Sequence, residues 1–342
     1  MRRWHQVQRA FLTRPDRLLP TTALGITLLA FIWLPSYSDA ELTSFDTYNA
    51  LQVFARLAPL VLGLGLTMLA GEFDLSVVGT YALGGMLAVQ YGGTDWKTGI
   101  AAALGAGVVI GLTQGTIIAR LGVPSMPVTL ATYIGLLGLT NAISGGLSKS
   151  YMNPEVTLWL DKPVSEVFSP RSLMTIAAFV VIGAVLGFSR WGREVRAIGS
   201  DRRASRVSGV QSDRILIALF VTSAVLAAGS GALLNYSLGS ANPDPGVQPL
   251  ILAAAGALLG GVSLSGGHGS TVGLLAGALT VAFLAQIVTA AQFPTYTAQL
   301  FYAGLLALIV VVDAPGLRRA WTRGTIRLTS RADPAATSPT PS

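Results

Sequence analysis

Long apolar runs separated by short polar stretches make up most of the chain from about residue 20 onward. A straight membrane-crossing helix needs about 20 apolar residues, and many of the runs approach this length. The pattern therefore predicts an all-α membrane protein, a polytopic bundle of about ten transmembrane helices. The ten runs are Thr21–Leu34, Leu57–Gly71, Leu75–Tyr91, Gly99–Ala119, Val128–Ile143, Leu173–Phe188, Ile215–Tyr236, Leu250–Gly261, Val272–Thr289 and Ala298–Val312.

Several runs are shorter than a full span, notably the second and the eighth. Either their ends recruit neighbouring polar residues, or they are broken helices inside the bundle. A bilayer tolerates broken helices only where protein or water covers the backbone. The bundle is thus expected to contain some broken or short helices.

Composition supports a membrane location. The chain is 51% hydrophobic and 11% charged, against about 25% charged residues in a soluble domain. Its net charge of +7 lies beside the apolar runs, where cations set orientation and meet anionic lipid. We therefore expect the lipid bilayer, and no nucleic acid, as a partner. The chain has no cysteine and only His5 and His268, which argues against a metal site.

The distribution of lysine and arginine predicts the orientation, because short loops rich in these residues stay cytoplasmic. With ten crossings and a cytoplasmic N-terminus, the cytoplasmic segments hold eighteen Lys and Arg residues. The outer loops hold four: Lys97, Lys149, Lys162 and Arg171. Arg56 is expected to snorkel from the outer end of the second run. Both termini are thus predicted to be cytoplasmic.

The chain start imitates a cleaved signal peptide, with a basic region, an apolar run and Ser38-Asp39-Ala40. The basic region is long for a signal peptide, so we expect the first span to be retained. Residues 333–342 are rich in Pro, Ser, Thr and Ala, which predicts disorder. The resulting plan has a cytoplasmic basic segment (1–20), one transmembrane domain (21–313) and a cytoplasmic basic, disordered tail (314–342).

Residues 190–214 form a polar island between two apolar runs, with seven arginines and three acids. Ser200 or Asp201 can cap a short helix there, and Gly209 can end it in the left-handed conformation. Ala204 and Val207 lie three apart and would share one face. Such a helix, presented to the cytosol, favours docking to a soluble partner, with Arg202, Arg203 and Arg206 around its exposed face.

Sequence motifs for chemistry are absent. No Gly-Lys pair occurs, so the phosphate-binding GxxxxGK[ST] loop is missing, and GxSxG, HExxH and CxxC patterns are missing too. No catalytic residue is expected in this chain. If ATP drives the protein, another chain binds the nucleotide and its magnesium ion.

Four motifs carry a resemblance to a known family. Residues 69–87 read LAGEFDLSVVGTYALGGML, residues 123–146 read VPSMPVTLATYIGLLGLTNAISGG, and residues 260–279 read GGVSLSGGHGSTVGLLAGAL. The fourth is the arginine loop, with Arg-Ala-Ile-Gly at 196–199 and Val-Ser-Gly at 207–209. Together, from about Phe54 to Val311, they resemble bacterial sugar-type permeases of the ATP-binding cassette (ABC) superfamily.

This resemblance implies a monosaccharide importer in the bacterial inner membrane. Permeases of this class work as dimers, of identical copies or paralogues, with ATPase subunits and a periplasmic substrate-binding protein. The resemblance makes the arginine loop the ATPase-coupling loop. Its residues singled out here are Arg196, Arg202, Arg203, Ala204, Ser205, Arg206, Val207 and Gly209.

Two departures from the family pattern stand out. Glu72-Phe73-Asp74 replaces the usual Gly-Ile-Asp, which adds a carboxylate. In the coupling loop, residues 202–206 read Arg-Arg-Ala-Ser-Arg where the family has Pro-Glu-Ala-Ala-Arg, so the charge offered to a partner is inverted. Because Glu72 departs from the pattern, its conversion to Gln is expected to leave uptake near normal.

Glu72 and Asp74 have no cation near them in sequence. One interpretation places them at a membrane break beside the translocation route, since intramembrane ionisable groups tend to be functional. The other is a tight turn in which Asp74 caps the next helix. A capped broken helix satisfies both. Candidate path residues are Glu72, Asp74, Ser76, Gln114, Thr129, Asn141, Asn235, Ser263, Ser265 and Gln286, for which interhelical hydrogen bonding is the alternative.

The glycine- and serine-rich segment after Gly260 is similar to the segment around Leu75-Ser76 and Gly79. This similarity suggests two related halves, Leu51–Gly146 and Ile215–Val312, because transporters often carry internal repeats. Three function classes remain open at this point. They are an ABC sugar permease, a related permease for branched-chain amino acids or nucleosides, and an ion-coupled transporter that uses Glu72 or Asp74.

Overall fold

The computed structural model describes residues 15–37, 42–93 and 95–294, and a few positions between 296 and 307. Most of this part of the chain is helical. The helices are α1 (Pro15–Ile32), α2 (Leu34–Tyr37), α3 (Ser44–Leu69), α4 (Val77–Tyr91), α5 (Trp96–Leu121), α6 (Ser125–Ser144), α7 (Pro154–Leu160), α8 (Pro170–Phe188), α9 (Arg190–Ser200), α10 (Arg202–Val207), α11 (Ser212–Leu238), α12 (Gln248–Leu259) and α13 (Thr271–Ala290). Two short strands, β1 (Lys149–Ser150) and β2 (Ser240–Ala241), pair antiparallel.

The predicted all-α class is confirmed. Within the described residues, six helices are long and apolar enough to span a membrane: α3, α5, α6, α8, α11 and α13. The total of about ten remains a prediction. Most of the tenth run, the tail after residue 313 and Ser38-Asp39-Ala40 lie outside the described residues, as does most of the predicted N-terminal segment.

The second and the eighth apolar runs, both shorter than a full span, form helices of different length. The second run becomes the 26-residue helix α3, because polar residues from Ser44 onward extend it. The eighth run stays short, as the 12-residue helix α12. The third run is also short, since α4 has 15 residues. Residues 70–76 precede α4 and residues 260–270 follow α12, and these two loops build the site described below.

Helices α3 and α11 form the centre of the bundle. Helix α11 packs against α3, α4 and α5, while α3 also packs against α12 and α13. Small residues allow this close approach, as is common in membrane helices. A Cβ atom at Gly111 of α5 would lie 2.4 Å from Val221 Cα of α11, and one at Gly84 of α4 would lie 2.5 Å from Ala228 Cα.

Candidate coupling junction

The loop after α3 begins with a glycine turn. Gly71 has a φ of +79°, in the left-handed region. Its N–H donates to the Met68 carbonyl at 2.9 Å, and the Glu72 N–H donates to the Thr67 carbonyl at 3.0 Å. These two bonds satisfy the last carbonyls of α3 in a Schellman motif. The chain is therefore turned sharply at Gly71, directly before the signature residues.

Asp74 is fully buried within this loop. Its Oδ1 accepts from the Ser76 N–H at 3.0 Å and from the Ser76 hydroxyl at 2.6 Å. Its Oδ2 accepts from the hydroxyl of Ser223 on α11 at 3.0 Å. Asp74 thus forms a turn with Ser76 immediately before α4 and lies inside the bundle. The predicted cap is not formed by its carboxylate, because the N-cap of α4 is Ser76 and no side chain caps the first turn.

Helix α6 fixes the same loop from its other side. The Leu75 N–H donates to the hydroxyl of Thr129 at 3.1 Å, and the Phe73 N–H donates to the hydroxyl of Ser125 at 3.2 Å. Thr129 is completely buried. The predicted path residues Asp74, Ser76 and Thr129 therefore share one hydrogen-bonded cluster.

The loop after α12 repeats this construction. Gly261 has a φ of +74°, and its N–H donates to the Leu258 carbonyl at 2.9 Å, while Val262 N–H donates to the Ala257 carbonyl at 3.1 Å. The hydroxyls of Ser263 and Ser265 then pair at 2.9 Å, two residues apart like Asp74 and Ser76. This local likeness matches the motif similarity, and the internal repeat itself stays a prediction.

Both loops meet the end of α9 at glycines. The Gly267 N–H donates to the Leu69 carbonyl at 3.0 Å and so joins the second loop to α3. A Cβ atom at Gly199 would lie 2.0 Å from the Leu69 oxygen and 2.4 Å from the Gly267 nitrogen. At Gly266 it would lie 2.6 Å from Gly71 Cα. We call this three-way contact (Leu69, Gly71, Gly199, Gly266 and Gly267) the junction.

Helix α10 follows the junction directly and has the predicted ends. The Asp201 Oδ1 accepts from the backbone N–H groups of Arg203 and Ala204, each at 2.9 Å. Gly209 has a φ of +83°, and its N–H donates to the Arg206 carbonyl at 3.0 Å. The predicted cap and the predicted left-handed glycine are both confirmed.

Arg202 links α10 to the first loop. Its Nη1 lies 3.2 Å from Glu72 Oε1, and its Nη2 donates to the Ala119 carbonyl at 3.1 Å and lies 3.8 Å from Asp213 Oδ1. Glu72 therefore has a cation, although none lies near it in sequence. The prediction that Arg202 lies on the exposed face is wrong, because only 29% of its side chain is exposed.

Apart from Arg202 and Ser205, the residues of α10 are exposed. Ala204 is exposed, and Val207 is 86% exposed. The exposed Arg203 side chain has no hydrogen bond or ion pair with any residue that the structure describes. Arg206 pairs with Asp213 at 2.5 Å. The face of α10 formed by Ala204 and Val207, predicted to dock on a partner, is therefore uncovered. Arg203 is an unpaired cation on the same helix.

The remaining loop residues stabilise the segment internally. Ser205 is buried, and its hydroxyl donates to the Asp201 carbonyl at 2.8 Å. Arg196 donates to the Gly192 carbonyl at 3.3 Å and to the Leu186 carbonyl at 3.5 Å. The Arg196 contact holds α9 against the end of α8, and the Ser205 contact stabilises the first turn of α10.

Four of the other predicted path residues lie away from the junction. Gln114 is buried on α5, and neither atom of its amide has a partner among the described residues. Asn141 lies near the far end of α6, exposed, and donates to the Leu137 carbonyl at 2.9 Å. Asn235 lies late in α11, and Gln286 on α13 donates to Asp46 at 3.2 Å. The structure therefore does not gather all candidates into one site.

Replacing Asp74 with alanine is expected to lower the assembled level of the protein. The change removes the acceptor of three hydrogen bonds in a buried place, and each donor left unpaired costs about 1–3 kcal/mol. Asp74→Asn should spare most of the stability, because its amide oxygen still accepts from Ser76. Thermal unfolding in detergent measures the difference, and equal loss in both variants would contradict a hydrogen-bonding role.

Comparison with known proteins gives concordant matches. Residues 47–310 match the family described as "Branched-chain amino acid transport system / permease component". The ribose import permease protein RbsC of Escherichia coli (strain K12) is 31% identical over 296 residues, covering 84% of this chain and 92% of that protein. The xylose transport system permease protein XylH of Haemophilus influenzae is 26% identical, covering 86% and 96%.

A third relative is the L-arabinose ABC transporter permease protein AraH of Azospirillum brasilense. It is 29% identical, with 83% of this chain and 86% of that protein covered. No solved structure matches the chain significantly.

Proposed function

Because the chain belongs to the family of branched-chain amino acid transport system permease components, we propose that it is the membrane subunit of an ABC importer for a monosaccharide or related small polar solute. The relatives named for ribose, xylose and arabinose favour sugars over amino acids or nucleosides. The observation that carries the coupling mechanism is the junction, because it connects an uncovered, capped helix to both signature loops. The protein is a multi-pass protein of the bacterial inner membrane.

The proposed assembly contains a separate ATPase subunit, which binds ATP and magnesium. It also contains a second permease, identical or paralogous, and a periplasmic substrate-binding protein. The permease itself carries no catalytic residue. Its N-terminal segment (1–20), transmembrane domain (21–313) and tail (314–342) keep the roles predicted from the sequence, with about ten crossings in total.

In this mechanism, the ATPase groove receives the face formed by Ala204 and Val207. Closure of the ATPase then moves α10. Arg202 transmits that displacement to Glu72, and Gly199 transmits it to the Leu69 carbonyl and Gly267. Since α3 ends at the junction and the loop from α12 to α13 enters it, the movement reaches both halves of the bundle. Asp74, Ser76, Thr129, Ser263 and Ser265 are proposed to border the inner end of the route.

We also propose the orientation given by the charge distribution, with both termini and residues 190–214 cytoplasmic. Because the chain has no cysteine, single cysteines at Ser150 and Ser208 report it cleanly. Both positions are exposed, whereas Ser205 is buried. Residue 150 should react with an impermeant thiol reagent in intact cells, and residue 208 only after lysis. The reverse pattern would overturn the orientation.

Docking is tested at α10. Ala204→Glu is expected to abolish co-purification with the ATPase, because a bulky charged side chain would lie on the docking face formed by Ala204 and Val207. Arg203→Glu should weaken assembly more at low salt than at high salt, since repulsion between exposed charges is screened over about 8 Å at physiological ionic strength.

Residue 204 is exposed, so the permease should remain folded in the membrane in both variants. Ser208→Ala is the matched control, because Ser208 is exposed at the end of the same helix. If Ala204→Glu and Arg203→Glu both assembled with the ATPase like the wild type, residues 190–214 would be a solvated anchor and not a docking site.

A further inference from the structure

A buried arginine at the opposite end of the bundle has no role in coupling. Arg171 lies in the first turn of α8 and is 5% exposed. Its Nη2 donates to Gln52 Oε1 at 2.8 Å and lies 2.9 Å from Asp161 Oδ1. The charge tally places this end at the outer face. The proposal below rests on the proposed function, because it uses the membrane orientation proposed there.

This cluster has more hydrogen-bond donors than acceptors. The Nε and Nη1 atoms of Arg171 and Nε2 of Gln52 are buried without a partner among the described residues. These atoms carry three N–H groups on Arg171 and two on Gln52. Among the acceptors nearby, Gln52 Oε1 also accepts from Ser169 at 3.2 Å and Asp161 accepts from Ser237, while Asp161 Oδ1 has its ion pair with Arg171 and no further partner among the described residues. Unpaired buried donors are unfavourable, so the cluster favours a ligand that only accepts.

The cluster borders an open hollow. Asp161, whose side chain is 32% exposed, lines a hollow of about 550 Å³ together with Thr157, Trp159 and Lys162. Small-molecule sites are commonly about 300–1,000 Å³, so a monosaccharide fits. Trp159 is 51% exposed and offers an apolar ring face. The Asp161 carboxylate thus contacts both the hollow and the buried Arg171.

One cation and one acid line the hollow, and a second cation lies behind the acid. Lys162 and Asp161 line the hollow, and the buried Arg171 guanidinium lies directly against the Asp161 carboxylate. If a ligand displaced Asp161, the Lys162 ammonium and the Arg171 guanidinium would face that ligand without the Asp161 carboxylate. An anion is therefore favoured over a neutral solute at this position.

We propose that this hollow binds an acidic monosaccharide, whose carboxylate displaces Asp161 from Arg171 while the sugar ring lies against Trp159. A sugar hydroxyl both donates and accepts, whereas a carboxylate only accepts, which matches a cluster with free donors. Asp161 contacts Arg171 at the position that the ligand carboxylate would take. Charge-assisted bonds of this kind are about twice as strong as neutral ones.

The test compares galacturonate with galactose, which differ at one carbon by a carboxylate in place of a hydroxymethyl group. Full-length permease in lipid nanodiscs is titrated with each, by calorimetry and by tryptophan fluorescence. Galacturonate should bind at least about 10-fold more tightly, in line with a charge-assisted contact. Asp161→Asn should strengthen its binding about 10-fold, because the competing carboxylate is gone.

Gain of binding in Asp161→Asn separates a ligand site from a merely structural ion pair. Lys162→Gln should weaken galacturonate binding, while Lys97→Gln, a cation outside the hollow, should not change it. Equal binding of the two sugars by the wild type and by Asp161→Asn would overturn the proposal, since water would then satisfy the donors. The assay needs no ATPase, so failed ATPase assembly with intact galacturonate binding would refute the coupling mechanism and leave this site standing.

Discussion

Gly199→Ala is expected to abolish transport while the permease still inserts into the membrane. The added Cβ would lie 2.0 Å from the Leu69 carbonyl oxygen and 2.4 Å from the Gly267 nitrogen, two atoms that hydrogen-bond to each other. Separating the three segments breaks that bond, and overpacking of this kind costs about 1–3 kcal/mol. The junction would then no longer pass a displacement of α10 to α3 and to the second loop.

Helix propensity acts in the opposite direction to the predicted loss. Gly199 lies within α9, where alanine is favoured over glycine by about 1 kcal/mol. Any loss must therefore come from the contact and not from the helix. Gly187→Ala is the matched control, because Gly187 is helical and its added Cβ would meet nothing within 4 Å. Reconstituted uptake measures both variants, and wild-type uptake by Gly199→Ala would refute the role of the junction.

Arg202→Glu is expected to have the second large effect. The change would place a carboxylate beside Glu72 and Asp213, both of which now lie within 4 Å of Arg202 nitrogens. It also removes the donor to the Ala119 carbonyl. A hydrogen bond to a charged group contributes about 1.5–3 kcal/mol, so assembly and uptake should both fall strongly.

The reversed pair Glu72→Arg with Arg202→Glu should recover part of this loss. Recovery is incomplete because the new carboxylate at position 202 would still lie near Asp213 and could not donate to the Ala119 carbonyl. In a double-mutant cycle on uptake, the coupling energy should be at least about 0.5 kcal/mol, as for residues in one network. Additive effects would show that the Glu72–Arg202 contact does not matter. On this account Glu72→Gln alone also lowers uptake, contrary to the expectation from the sequence.

Local signals in the sequence predicted much of this structure. The apolar runs predicted the long helices. The capping residue Asp201 and Gly209 predicted the two ends of α10, because a cap and a glycine turn depend only on neighbouring residues. The length of α3 was underestimated, since residues 44–56 mix polar and apolar side chains and their burial depends on packing.

The long-range contacts at and beside the junction were not predicted. Glu72 and Arg202 are 130 positions apart, and Asp74 reaches Ser223 across 149 positions, so neither pairing leaves a local signal. The exposed position assumed for Arg202 was wrong for the same reason. Gly199 was quoted only as part of a motif. Its close approach to Leu69 depends on how α9 meets two distant loops.

The most direct measurement of the central claim is substrate-stimulated ATP hydrolysis in proteoliposomes. Permease, ATPase and binding protein are reconstituted together, and hydrolysis is measured with and without loaded binding protein. The wild-type permease should give clear stimulation, and Gly199→Ala should assemble with the ATPase yet give none. Equal stimulation by wild type and Gly199→Ala, or none by the wild type, would contradict coupling through the junction.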